Sequence, residues 1–546
     1  MKINRKNIGK IDKISKVILS VSIIGWIIIS IVFFNAVNAN ASNTNIYKKI
    51  KLFNDILFKI NDHYVEEIDI DQLLDSAIDG MLDETDPHTV YFTRDEFEKF
   101  TSDTKGEFGG LGISIDKRGD YITVVSPIEG TPAFRMGIIA GDKIVKVDGE
   151  SVVGIDTSES IKLMRGQPGT RVVITILRPG VENELEFEIV RDIIKIDSIP
   201  YAFKTENGVG YIRVSQFNAN TTMEFRENLD KLEGEGIRGL LIDLRSNPGG
   251  LLGEAVDMVN EFIGKDKLVV FTKGRDETSS DEYYTRFNRE RAGYPVVILV
   301  NSGSASASEI FAGSIQDWDR GLVVGDNSFG KGSVQRLFQL PNGNGMKMTI
   351  AKYYIKSGRC IHKDLNDKLL KDKRLLNGEM TMEELEKLED ESLEESKQNI
   401  FQTIGGRTVY GGGGITPDVK IEQSRLSDFE VEMARKNLFF NYSVDYLLEN
   451  PDITSDFKIS EKMFANYLTY ISAHEIEYEQ SDVDASEKWM KNRLLANIIG
   501  RKFGSKKSYE ITAEEDTQLQ EALQIFEKCE TLKEMFDYAV EETITD

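Results

Sequence analysis

The chain has 546 residues, 40% of them hydrophobic and 29% charged, which describes a globular protein too long for one core. Its formal net charge of −24 argues against a nucleic-acid partner, because phosphate backbones attract clustered Lys and Arg. Two distant cysteines, Cys360 and Cys529, make neither a disulfide framework nor a zinc site, and the histidines fall in no metal-ligand spacing. No metal and no cofactor is therefore expected.

Residues 1–16 carry Lys2, Arg5, Lys6, Lys10, Lys13 and Lys16 against the single acid Asp12. The run Val17–Val37 that follows holds no charge and matches the roughly 20 residues a helix needs to cross a bilayer. Basic flanks stay in the cytoplasm, so we expect a cytoplasmic segment 1–16, a single-pass signal anchor at 17–37 and an extracytoplasmic remainder at the cell membrane. Ala39-Asn40-Ala41 supports the competing expectation, export after signal cleavage near Ala41. Residues 44–104 read as helical, with Ile50, Phe53, Ile56, Leu57 and Ile60 on one apolar face. Asp86-Pro87-His88 breaks that pattern, and His88 beside the turn reads as structural rather than as a base.

From residue 106 to 192 the pattern becomes short strands. Gly109-Gly110-Leu111-Gly112-Ile113 precedes strand-like Ile113–Ile115 and Tyr121–Val125. An Asp148-Gly149 turn, a helix at 157–164 and the β-branched strand Arg171–Leu177 follow. This order resembles a PDZ domain. The resemblance implies that a peptide's free C-terminus adds as a strand while backbone amides of Gly110, Leu111, Gly112 and Ile113 hold its carboxylate. The alternative is a small β-domain whose glycines only make turns.

Residues 193–425 alternate strands and helices. Leu240–Leu244, Val296–Val300 and Leu322–Gly325 are continuous apolar strands, which points to a largely parallel sheet covered on both faces. A loop follows each: Arg245-Ser246-Asn247-Pro248-Gly249-Gly250, Asn301 to Ile310, and Asn327 to Gln335. Ligands gather at such strand ends. A serine at the start of a helix sits where positive dipole and free amides stabilise an oxyanion, so Ser304, Ser306 and Ser308 are candidates for a nucleophile or for simple capping. With no histidine near these loops in sequence, Lys331 can serve as the base if burial lowers its pKa. Gly330-Lys331-Gly332-Ser333 is not a phosphate loop, because glycine separates Lys331 from Ser333.

Ser-Ala-Ser-Ala-Ser-Glu-Ile (304–310), Phe-Gly-Lys-Gly-Ser-Val-Gln (329–335) and Asp-Leu-Arg-Ser-Asn-Pro-Gly-Gly (243–250) together resemble the carboxyl-terminal processing peptidases, or tail-specific proteases. The resemblance covers roughly residues 50–425. It implies a multidomain α/β fold: a ClpP/crotonase-like peptidase core with an inserted PDZ-like domain between helical flanks. It further implies Ser306 as nucleophile, Lys331 as general base 25 residues later and Gln335 orienting the lysine. The amides of Ala307 and Gly250 would form the oxyanion hole, and Arg165 would couple the PDZ to the core or simply face solvent. Protein or peptide substrates with free C-termini follow from the same likeness. A non-catalytic PDZ scaffold on a dead peptidase fold is the competing reading.

Two segments depart from that pattern. The acidic, helix-prone insert 363–400 interrupts the family's Ser357-Gly358-Arg359 segment and reads as a solvated hairpin or a lid. Residues 426–546 form a helical extension expected to serve packing or homo-oligomerisation without chemistry.

Overall fold

The computed structural model describes residues 45–545, apart from 290, 292, 364–380, 382, 383, 385, 386, 388–398 and 475. The expected anchor Val17–Val37 and most of the insert 363–400 lie outside the described residues. Among the described residues no helix is long and apolar enough to cross a membrane. The chain divides into two units, residues 1–84 and 85–546. In the first, helix 45–63 precedes helix Ile70–Asp83, which Asp69 caps by accepting the amides of Asp71 and Gln72 at 2.9 and 3.2 Å. The apolar face read from periodicity is real but exposed at Ile50, Phe53 and Ile56.

The second unit is built on a six-stranded sheet in the order Tyr201–Lys204, Val209–Arg213, Gly239–Asp243, Val296–Val300, Leu322–Gly325 and Val419–Lys420. The first pair is antiparallel and every other pair is parallel. Gly239–Asp243 and Val296–Val300 are buried throughout, as apolar runs inside a doubly covered sheet must be. One face packs on helices Thr221–Gly234, Leu252–Val259 and Ala307–Asp317 through Phe225, Val256 and Phe311. A second sheet orders Val90–Phe92, Gly345–Ile355, Leu268–Gly274 and Glu282–Tyr284, and Ser333–Gln339 also pairs with the long strand Gly345–Ile355.

The PDZ-like region closes around its own core, including Ile122, Val124, Ile144, Ile174 and Ile176. Among the described residues its strand Ile113–Arg118 lies at one edge and pairs only with Tyr121–Pro127. The helix Thr157–Met164 falls where the sequence put it.

Residues 426–546, expected to serve packing or homo-oligomerisation, pack in two distinct ways. Residues 428–503 do form a helical body with its own core around Tyr467, Met490 and Leu494. Helices Thr517–Lys528 and Leu532–Thr545, however, cover the second face of the main sheet. There Leu519, Ala522, Ile525 and Phe526 pack on Val209, Leu241, Val297 and Leu299. A β-carbon at Gly239 would stand 2.6 Å from the Phe526 ring, so that strand and this helix approach as closely as glycine allows. The physical reason is the parallel sheet itself, which needs apolar cover on both faces. Phe526→Ala is therefore predicted to cost about 3–5 kcal/mol, read from the urea midpoint. A loss well below 1 kcal/mol would mean that the extension is not part of the core.

Candidate active site

Three loops meet at the C-terminal ends of the parallel strands. Ser306 is the N-cap of helix Ala307–Asp317, with φ 56° and ψ −113°. A non-glycine residue holds such a conformation only where its surroundings impose it, at a cost of about 1–3 kcal/mol. Here the constraint is Glu309, three residues on and fully buried. Its Oε2 accepts the amides of Ser306 at 2.7 Å and Lys331 at 2.9 Å. Its Oε1 accepts the Ser328 hydroxyl at 2.5 Å and the Gly330 amide at 2.7 Å. One carboxylate thus ties the serine turn to the lysine loop. The Tyr353 hydroxyl adds a second tie, lying 3.2 Å from the Ser306 carbonyl and against the Lys331 carbonyl.

The third loop presses against the same turn. A β-carbon at Gly249 would fall 2.7 Å from Ser306 Cβ and 2.8 Å from the Ala307 amide nitrogen, so only glycine fits there. Gly249 (φ 92°) donates its amide to Asn247 Oδ1 at 2.9 Å. Its carbonyl accepts from Phe217, whose own carbonyl accepts from Leu251. The Gly250 amide takes no part in that bridge and has no protein acceptor among the described residues. Buried Asn247 locks the loop. Its side chain donates to the Val214 carbonyl at 2.9 Å, and its carbonyl accepts from Ala305 N and Ser308 Oγ, both at 3.0 Å. Ser304 Oγ donates to the Leu244 carbonyl at 2.8 Å, so Ser304 and Ser308 are structural members of their motif.

Burial and the neighbouring Lys347 push the Lys331 ammonium below the usual lysine range, while Glu309 and Asp86 pull it back only in part. Lys331 Nζ has no hydrogen-bond partner among the described residues. His88 lies in the same field. Burial and then Lys331 lower its pKa to about 4, its Nε2 is buried without a partner, and it is neutral at pH 7. Its segment is held by Asp86, which accepts His88 N at 2.9 Å, Thr89 Oγ1 at 2.8 Å and Thr349 Oγ1 at 3.1 Å. Asp86 and His88 line a cavity of about 420 Å³ with Ser333, Thr349, Lys352 and His362.

Not every residue singled out from the sequence takes up the expected contact. The Gln335 amide donates to Ser333 Oγ at 2.9 Å and to Thr349 Oγ1 at 3.3 Å, and no bond joins it to Lys331. Arg165 caps the end of helix Thr157–Met164, pairs with Asp103 at 3.2 Å and stacks on Phe108. Gly110 is paired to Asp192 in a two-stranded ladder. Leu111 and Gly112 are better placed for a peptide end, because neither amide has a protein acceptor among the described residues. Gly112 (φ 79°) is fixed by Thr131, which a β-carbon would meet at 2.2 Å. Glu309, Asn247 and Tyr353 escaped the sequence reading. Of these only Glu309 left a local signal, the Ser-x-x-Glu spacing of a capping box.

Burial raises the Glu309 carboxyl from the usual 4.5 to about 7 against the pull of its four donors. The folded protein then holds a proton that the unfolded chain releases. Stability contributed by this group is full below about pH 4.5 and is lost as pH rises through 7. Glu309→Gln should remove that slope in denaturant midpoints measured from pH 4.5 to 7.5. It should also cost about 1–3 kcal/mol, since an amide nitrogen cannot accept the bonds the carboxylate accepts. An unchanged slope would show that Glu309 is not the titrating group.

Sequence comparisons bear on the whole arrangement. The peptidase family S41 profile matches residues 208–368 and a PDZ-domain profile matches 123–178. Residues 34–96 match a profile described as the activating protease CtpB N-terminal domain, and 429–482 match the C-terminal helical domain of a probable PDZ-protease. A carboxy-terminal-processing protease of Bartonella bacilliformis is 38% identical over 335 residues, 61% of this chain and 76% of that protein. The carboxy-terminal processing protease CtpA of Bacillus subtilis is 35% identical over 306 residues, 56% of this chain and 65% of that one. Among solved structures, the photosystem II D1 C-terminal processing protease aligns at 29% identity and a TM-score of 0.33, covering 56% of this chain and 83% of its own.

Proposed function

The chain belongs to peptidase family S41, the carboxy-terminal-processing serine proteases, and we propose that it works through a Ser306/Lys331 dyad. The observation that carries this reading is the Glu309 carboxylate, which bonds the amides of both residues at 2.7 and 2.9 Å. In the proposed reaction neutral Lys331 takes the Ser306 hydroxyl proton as Oγ bonds to the scissile carbonyl carbon. The amides of Ala307 and Gly250 stabilise the oxyanion. Lys331 then passes the proton to the departing amine, and a water activated by the same lysine frees the acyl group from Ser306. Gln335 acts at one remove, by holding Ser333 and Thr349 beside the lysine.

The PDZ domain supplies selection. A substrate's free C-terminus adds along Ile113–Arg118, with its carboxylate on the Leu111 and Gly112 amides. The uncharged run Val17–Val37 behind a basic segment supports membrane anchoring with the catalytic region outside the cytoplasm. Protease protection of sealed vesicles would test that topology, and digestion confined to the short N-terminal segment would reverse it.

Two outcomes test the chemistry. Ser306→Ala and Lys331→Ala should each abolish cleavage of an unstructured protein with a free apolar tail, and amidating that tail should raise KM; an active Ser306→Ala variant ends the account. Because burial and Lys347 favour the neutral lysine, kcat/KM should rise with pH and level off below lysine's ordinary 10.5. Lys347→Met removes a like charge and should move that inflection upward. An inflection that stays in place would separate it from Lys331.

A further inference from the structure

The loop that carries Gly249 and Gly250 begins with Arg245, and Arg245 is held from the far end of the chain. A guanidinium has five N–H donors, and here all five are spent. Nε and one hydrogen of Nη2 go to Asp243, at 3.1 and 2.7 Å. The rest go to Asp516, with Nη1 to Oδ1 at 2.8 Å and Nη2 to Oδ2 at 2.6 Å, and from Nη1 to Gln518 Oε1 at 3.3 Å. Asp243 is fully buried and also accepts Tyr211 Oη at 2.8 Å, Arg213 Nη1 at 2.7 Å and the Arg245 amide at 2.9 Å. It cannot turn to compensate for a lost partner.

Asp516 stands 271 residues from Arg245, at the N-cap of helix Thr517–Lys528, where its Oδ1 also accepts Leu519 N at 3.1 Å. Gln518 is equally fixed, donating to the Ile421 carbonyl at 2.7 Å. Leu519 and Phe526 bury that helix against the main sheet. Bidentate pairing of planar guanidinium and carboxylate sets direction as well as distance. The orientation of Arg245, and with it the start of the glycine loop, is therefore referenced to the C-terminal extension.

We infer that Asp516 is a positioning residue for the oxyanion loop, so that the extension is a working part of the active site. This rests on the reading of Gly250 as an oxyanion donor. The test uses the full-length protein and compares kcat, KM and melting temperature for wild type, Asp516→Asn, Asp516→Glu and Leu519→Ala. Leu519→Ala loosens the same helix without touching Arg245.

Asp516→Asn is expected to lower kcat by about tenfold or more with KM nearly unchanged, since a displaced donor acts on the transition state. Asp516→Glu should recover part of the loss. Leu519→Ala should lower the melting temperature while kcat, measured well below it, stays within about twofold of wild type. Full kcat in Asp516→Asn, or an equal loss in Leu519→Ala, would overturn the inference. Should Asp516→Asn fail to fold, Asp516→Ser, which keeps a helix cap but loses the bidentate pair, carries the test: a fall in kcat at constant KM is expected, and an unchanged kcat overturns it. Ser306→Ala run alongside keeps the two claims apart. Activity in that variant defeats the dyad, whereas an inactive Ser306→Ala with a fully active Asp516→Asn defeats only the role of Asp516.

Discussion

The Glu309 carboxylate is where the site is assembled. Three loops from three strands must bring a serine, a lysine and two glycines together, and loops alone do not hold a strained turn. A buried acid that accepts the Ser306, Gly330 and Lys331 amides and the Ser328 hydroxyl turns two of those loops into one rigid piece. Burying a carboxylate is costly unless its lone pairs are filled, and four donors fill them. The same bonds that offset part of this cost fix the backbone of Ser306 in a conformation it would not choose alone.

Around that piece the fold works by exclusion and support. Burial favours the uncharged form of Lys331, the form that its proposed role as base requires and that bulk water would deny it. The Asn247 side chain and carbonyl press the glycine loop onto the serine turn. The second sheet contributes Tyr353 and Thr349, and the Asp86-Pro87-His88 segment docks on that sheet through Thr349. The extension seals the remaining face of the main sheet and reaches Arg245 through Asp516. Residues scattered from 86 to 516 thus converge on one end of the parallel sheet.

How much of this could be read from the sequence depended on the range of each interaction. Strands Gly239–Asp243, Val296–Val300 and Leu322–Gly325 announced themselves as apolar runs, and the loops after them carried recognisable motifs. Helix Thr157–Met164 and strand Arg171–Leu177 were legible for the same local reason. The role of the extension was not, because Asp516 and Arg245 are joined only by folding, and Leu519 or Phe526 look alike whether they pack on each other or on a sheet. Gln335 shows the opposite failure. Its position fits the motif, yet its amide is committed to Ser333 and Thr349, a choice set by the register of the Ser333–Gln339 and Gly345–Ile355 strands. Arg165 likewise finds Asp103 and Phe108, partners that no spacing rule within its own domain could reveal.

The claim on which everything else rests is covalent attack by Ser306 with Lys331 as base. Mass spectrometry of protein quenched in acid during turnover of an unstructured, free-tailed substrate tests it most directly. An acyl adduct is expected on the peptide containing Ser306 in wild type, and no adduct in Lys331→Ala. Product formed by wild type with the adduct on another residue, or the same adduct accumulating at the wild-type rate in Lys331→Ala, would contradict it.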